Sequence, residues 1–245
     1  MSMAPIREAP RAGSFAALPD GGFAAALVVC AALAIAAAPW ALNAAWLGFV
    51  FKPLATLVVI AYAWRRAGGR GDVRRAVLAG LVLSLGGDVA LLWPQQGFLP
   101  GLVSFLLAHL AYLWAFTRER TLAAWRTPFV VYAGVAGLVL ALLWPGVPGA
   151  LRLPVLAYVL CLASMAAQAA VLWRAGLPRS GVLAVGGALF LLSDSLLATN
   201  RFAVALPAER LWVLASYWSA QWCIASWLPP ASAATAEGPP VSSRP

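Results

Sequence analysis

The sequence predicts an all-α polytopic membrane protein, a bundle of eight transmembrane helices, on three observations. Of its 245 residues, 63% are hydrophobic and only 10% are charged, against roughly 25% charged in an average soluble domain. The apolar residues fall into eight runs, each near the ~20 residues that a helix needs to cross a hydrocarbon core of about 30 Å. The arginines collect in alternate connections between those runs. A compact soluble fold has too little interior to hide this much apolar surface, and a disordered chain needs low hydrophobicity. Cys30, Cys161 and Cys223 all lie inside apolar runs, so they do not form a disulfide framework.

The elements follow in order. Residues 1–19 are polar with Pro and Gly, and read as a cytoplasmic tail. The first run, 20–38, lacks a cleavage site and is expected to stay as a span. The second, 44–64, runs into the Gly68-Gly69 pair, and the third, 75–93, stops at Pro94. The fourth covers 98–117, and the fifth, 128–145, ends at the turn from Gly146 to Gly149. The sixth, 153–174, and the seventh, 180–199, are punctuated by Pro178 and Pro207, and the eighth is 209–228. Gly and Pro are the residues that break helical runs in this way. Residues 20–228 thus form one transmembrane domain. The remainder, 229–245, is rich in Pro, Ser and Ala and reads as a disordered cytoplasmic tail.

The basic residues orient the bundle. With the N-terminus inside, the inner segments hold Arg7, Arg11, Arg65, Arg66, Arg70, Arg74, Arg75, Arg118, Arg120, Arg126, Arg174, Arg179 and Arg244. The outer segments hold only Arg152, Arg201 and Arg210. A helix miscounted in mid-chain would destroy this bias, so eight spans with both termini cytoplasmic is the reading. A net charge of +9 in a soluble protein would suggest nucleic acid. In short loops beside a bilayer it does not, and no nucleic-acid partner is expected. A short internal match suggests a four-plus-four repeat: run three ends in Leu-Gly-Gly-Asp88 and run seven in Leu-Leu-Ser-Asp194, while Lys52-Pro53 and Leu153-Pro154 mark runs two and six. An even-numbered unit makes such repeats parallel.

Ionisable residues inside a span cost about 2.5–3.5 kcal/mol each on the insertion scale, so each needs a reason. Lys52, Asp88, His109 and Asp194 qualify, with Ser84, Tyr112, Ser193, Ser195, Asn200, Tyr217 and Gln221 as polar companions and Arg201 at the mouth of run seven. At about 1.5 Å per residue, all fall in the outer half or near the midplane, which one pocket open to the outer side would produce. Structural readings compete. Lys52 can snorkel, His109 can simply pack beside Tyr112, the serines can bond their own backbone, and Asn200 can cap its helix. Trp40, Trp93, Trp144 and Trp227 read as an aromatic belt. The two Asp are hardest to dismiss, because a short carboxylate cannot reach far. With one His and no ligand spacing, no metal or other cofactor is expected.

Residues 84–116, SLGGDVALLWPQQGFLPGLVSFLLAHLAYLWAF, and residues 187–202, GALFLLSDSLLATNRF, resemble the two signature regions of the YhhN family, the lysoplasmalogenases. Lys52-Pro53 and the run from Tyr217 to Gln221 also fit that pattern, and the resemblance covers about residues 20–228. Trp93-Pro94-Gln95 and Arg201 depart from it. The resemblance implies an integral membrane hydrolase, without a cofactor, in an inner (cytoplasmic) membrane of bacterial type. Its substrate would be a lysoplasmalogen of the bilayer, cut at the vinyl ether bond into a fatty aldehyde and glycerophosphoethanolamine or glycerophosphocholine.

That chemistry suits the residues. A vinyl ether is protonated on carbon, and water captures the resulting oxocarbenium ion. The reaction needs a proton donor, a nearby negative charge and a water. Asp88 and Asp194 can share those tasks, with Lys52 as electrostatic partner and His109 as proton relay. Arg201 would meet the phosphate, and Tyr112, Asn200, Tyr217, Gln221 and Ser195 are the other candidates to bind substrate. Two readings stay open on the residues alone. A proton-coupled or small-molecule transporter also places carboxylates near midplane. Another lipid hydrolase would use a Ser with His109, although no Gly-x-Ser-x-Gly elbow is present.

Overall fold

The computed structural model describes residues 20–66, 68–93 and 95–230. Over them the chain is all-helical: α1 Asp20–Ala36, α2 Ala45–Arg65, α3 Gly71–Ala90, α4 Phe98–Thr117, α5 Arg126–Leu143, α6 Arg152–Arg174, α7 Ser180–Phe202 and α8 Glu209–Trp227. Each apolar run is one helix. The expected N-terminal tail, most of the C-terminal tail, Pro94, and Arg7, Arg11 and Arg244 lie outside the described residues.

The boundaries differ most where apolarity and helix formation part company. α3 begins at Gly71, ahead of the third apolar run, because Asp72 suits a helix start; its carboxylate accepts from Val73 N at 3.0 Å and pairs with Arg70 and Arg118. α3 then ends at Ala90, before the run does. α7 continues through polar Thr199 and Arg201 to Phe202, with Thr199 Oγ1 donating to the Ser195 carbonyl at 2.7 Å. Pro229, read as the start of the tail, instead accepts a hydrogen bond from Gly68 N at 3.3 Å.

Seven helices make a closed ring. α1 packs on α2, α2 on α3, α3 on α4, α4 on α6, α6 on α7 and α7 on α8; α8 closes the ring against α1, α2 and α3. α5 lies outside, against α6 and α7. The α3–α4 pair is tight because Gly80 and Gly87 share one face, one heptad apart. A Cβ on Gly80 would overlap the Tyr112 ring, and one on Gly87 the Phe105 ring. Small residues allow this close approach where lipid offers no hydrophobic drive between helices.

Among the described residues, five helical segments are long and apolar enough to cross a membrane: Ala45–Arg65, Phe98–Thr117, Arg126–Gly146, Gly149–Arg174 and Ser180–Phe202. Large apolar side chains such as Val130, Leu142 and Leu153 stand on their outer surfaces, as a lipid-facing surface requires. Of the tryptophans read as a belt, Trp40 and Trp93 are exposed, whereas Trp227 is buried edge-on against Phe116. Trp227 is therefore a packing residue, placed inside because α8 closes the ring.

Candidate active site

The polar centre is built from α2, α3 and α8. Lys52 and Thr56 are four residues apart and share one face of α2. Tyr217 and Gln221 share one face of α8 in the same way. Lys52, Thr56 and Tyr217 point at Asp88 of α3, which is almost fully buried, and Gln221 stands behind Tyr217. Thr56 Oγ1 donates to Asp88 Oδ2 at 2.6 Å, and Tyr217 OH donates to the same oxygen at 2.8 Å. Lys52 Nζ stands 3.8 Å from Oδ1.

Two chains of donors run into this carboxylate. Tyr112 OH donates to Gln221 Oε1 at 2.7 Å, and Gln221 Nε2 to Tyr217 OH at 3.2 Å. From the other side, Trp218 Nε1 donates to Thr56 Oγ1 at 3.1 Å. Every step runs toward Asp88, which acts purely as an acceptor, the role of an ionised carboxylate. A buried charge survives only if paired and hydrogen-bonded, and Asp88 is both.

Asp194 of α7 is held differently. Tyr158 OH of α6 donates to its Oδ2, and no other protein group among the described residues bonds the carboxyl. The residue is half-buried and borders two cavities. The first, a narrow cavity of about 80 Å³, is walled by apolar side chains of α4, α5, α6 and α7, including Phe98, Leu102, Leu140, Val159 and Leu191. The second, about 580 Å³, holds Lys52, Asp88, Tyr217, Asn200 and Arg201 and opens among the α1–α2, α3–α4 and α7–α8 connections. Asp194 stands at the junction of a polar well and an apolar slot.

The sequence-predicted residues divide accordingly. Lys52, Asp88, Asp194, Asn200, Arg201 and Tyr217 border the polar well, and Ser195 borders the apolar slot. Ser195 Oγ bonds its own helix at Leu191 O, and Asn200 Oδ1 holds the α7–α8 connection through Leu206 N. Tyr112 and Gln221 are buried behind Tyr217, off both cavity walls. His109 is also buried away from both, ringed by Tyr112, Tyr158 and Phe190, with neither ring nitrogen hydrogen-bonded. The two Asp are not matched in depth as their sequence contexts suggested. Asp88 lies two residues from the end of α3 and Asp194 eight from the end of α7, or about 3 and 12 Å of helix.

Sequence reasoning missed Thr56, Tyr158 and Trp218. Thr56 was findable, since it stands one helical turn after Lys52. Tyr158 sits among apolar neighbours and has no local signal; only the fold brings α6 against α7. Among the described residues no group of three or more His, Cys, Asp or Glu is placed to hold a metal ion.

The family model described as the YhhN family matches residues 47–228. The chain is 39% identical to lysoplasmalogenase TMEM86B of Sus scrofa over 176 residues, 72% of this chain and 73% of that protein. It is 34% identical to lysoplasmalogenase TMEM86B of Homo sapiens over 177 residues, again 72% and 73%. Lysoplasmalogenase TMEM86A of Homo sapiens is 37% identical over 160 residues, 61% of this chain and 63% of that protein. No solved structure matches the chain.

Proposed function

The chain belongs to the YhhN family, and from that premise we infer that it is a lysoplasmalogenase, an integral membrane hydrolase that cleaves the vinyl ether bond of lysophospholipids. The observation that carries the mechanism is the position of Asp194 between a polar and an apolar cavity. In a lysoplasmalogen the vinyl ether is the link between polar glycerophosphate and apolar chain. With the first carbons of the chain in the apolar slot, at about 0.8 kcal/mol per buried CH₂, and the glycerophosphate in the well, the reacting carbons come to Asp194.

Asp194, protonated, donates to the alkenyl carbon distal to oxygen, leaving an oxocarbenium ion. Asp88, ionised and held by Lys52, Thr56 and Tyr217, supplies the negative charge that favours this cation. Charge fixed in place before the reaction begins is the main source of rate enhancement in many enzymes. A well water adds to the cationic carbon, and Asp194 takes its proton. Collapse of the hemiacetal breaks the bond to the glycerol oxygen, which leaves with the hydroxyl proton. The sum is substrate plus water to aldehyde plus glycerophospho-headgroup. Tyr158 holds Asp194 Oδ2, so Oδ1 faces the substrate. Tyr112 and Gln221 act through Tyr217 as positioning residues. His109, off the wall, is a packing residue that shapes the ring around Tyr158.

We expect purified protein in detergent to release aldehyde from 1-alkenyl-glycerophosphocholine or -ethanolamine, and to do so at the same rate after EDTA treatment. Loss of turnover on chelation that zinc restores would contradict the acid–base mechanism; a proton-coupled or small-molecule transporter, or a Ser-dependent hydrolase, becomes the better reading if no aldehyde forms.

The orientation belongs to the same proposal. α1, α3 and α8 cross the membrane beside the five spans named above. α3 and α8 carry charged first turns and the polar side chains of the well, which lowers their apolarity without exposing polar groups to lipid. Eight spans place both termini in the cytoplasm and the well at the outer face of the inner membrane, in a four-plus-four arrangement of two hairpin pairs. Reporter fusions at Arg70 and after Trp227 are expected to read as cytoplasmic; an external reading at either removes a span.

A further inference from the structure

The mouth of the polar well carries three charged side chains: Arg201 at the end of α7, and Glu209 and Arg210 at the start of α8. Among the described residues none of the three makes an ion pair. Arg201 lies over Phe98, 5.0 Å from the ring centre, which positions the guanidinium and leaves its N–H groups without an acceptor. Arg210 is a cation in the first turn of a helix, where the helix dipole favours anions, so helix stability does not account for it. It reaches toward α2, with Nη1 3.9 Å from where a Cβ would stand on Gly48. Glu209 suits a helix start, but consecutive residues on a helix do not face each other, and its carboxylate does not pair with Arg210.

We propose that these residues form a headgroup site selective for zwitterionic lysolipids: Arg201 and Arg210 hold the phosphodiester oxygens, and Glu209 holds the ammonium of ethanolamine or choline. The proposal rests on the reading of the chain as a lysoplasmalogenase. Two cations match the two free oxygens of a phosphodiester, a charge-assisted arrangement that suits guanidinium. One carboxylate beside them matches a positive charge two carbons beyond the phosphate. A lysolipid ending in a bare phosphate would bring its extra negative charge against Glu209, and like charges placed together exclude wrong partners.

The test compares three substrates, 1-alkenyl-glycerophosphocholine, 1-alkenyl-glycerophosphoethanolamine and 1-alkenyl-glycerophosphate, with wild type, Glu209→Gln and Arg210→Gln. For Glu209→Gln, kcat/KM for the two zwitterions is expected to fall about tenfold, mostly through KM, the size of one charge-assisted contact. For the bare phosphate it is expected to rise. Arg210→Gln is expected to raise KM for all three. The ratio of specificity constants within one preparation does not depend on the active fraction, so partial misfolding does not mask the result. Glu209→Ala, which also removes the charge, is read by the same ratio if Glu209→Gln does not fold. A zwitterion-to-phosphate ratio within about twofold of wild type in the Glu209 variant overturns the proposal. If wild type cleaves none of the three, the hydrolase reading fails first. The headgroup site is then judged by binding of the saturated ethers 1-alkyl-glycerophosphocholine and 1-alkyl-glycerophosphate, for which the same ratio decides.

Discussion

Replacing Asp194 with Asn is expected to lower kcat by about 10²–10⁴-fold, the usual worth of a positioned general acid, with KM nearly unchanged. Protonation of carbon is the difficult step, and the Asn amide has no proton of comparable acidity to give. Its shape matches the carboxyl, and the Tyr158 hydroxyl can still donate to the amide oxygen, so the α6–α7 contact and both cavities survive. An interaction made only in the transition state appears in kcat and kcat/KM equally. Tyr158→Phe provides the graded companion. It leaves the acid in place but removes the group that orients it, and a loss of about tenfold is expected from one buried hydrogen bond. The measurement is aldehyde release from 1-alkenyl-glycerophosphocholine in detergent, with circular dichroism and size-exclusion profiles to show that the variant is folded. An Asp194→Asn variant that folds and keeps near-normal kcat makes the half-buried carboxyl a packing feature and returns the transporter reading to the front.

How much of this architecture is legible in the sequence follows from the range of the signals. Each span is a local property, because twenty or so apolar residues must form their own backbone hydrogen bonds in lipid. All eight helices are therefore visible as apolar runs, and Asp88, Lys52 and Asp194 stand out against them. Boundaries slip where polar residues continue a helix beyond the apolar run, at Asp72 and at Thr199–Arg201. The partnering of Lys52 with a carboxylate is anticipated as an electrostatic pair, and the structure places Lys52 3.8 Å from Asp88. The long-range contacts have no such local signal. Tyr158 and Asp194 meet only because α6 packs on α7, and His109 is separated from both cavities by the rings of its neighbours. In the sequence Glu209 and Arg210 are charges at a helix start like any others; closure of the ring brings them to the mouth of the well.

The Lys52–Asp88 pair should behave as a unit. Lys52→Met leaves Asp88 buried with two neutral donors, Thr56 and Tyr217, and without its cation. Asp88→Asn leaves Lys52 facing the open well, where water can solvate it. Removing one partner of a buried pair typically costs about 3–5 kcal/mol because the other charge is left behind. The cost here is expected to be larger for Lys52→Met, since Asp88 is the more deeply buried partner. On turnover, each single change is expected to lower kcat about 10²–10³-fold, the worth of one preorganised electrostatic group. The double variant Lys52→Met with Asp88→Asn removes both charges together. It is expected to regain thermal stability relative to Lys52→Met alone, while kcat stays near that of the poorer single variant, because residues that act as one unit are not additive. Lys52→Arg keeps the charge on a larger, planar group and is expected to fall between wild type and Met. Thermal melts and aldehyde release on wild type, the two single variants and the double variant form a double-mutant cycle in both stability and rate. Additive losses in both would mean that Lys52 reaches the outer interface on its own account and that Asp88 is held by Thr56 and Tyr217 alone. Lys52 would then be an anchor of α2 in the membrane surface, and the negative charge at the reacting carbon would owe nothing to it.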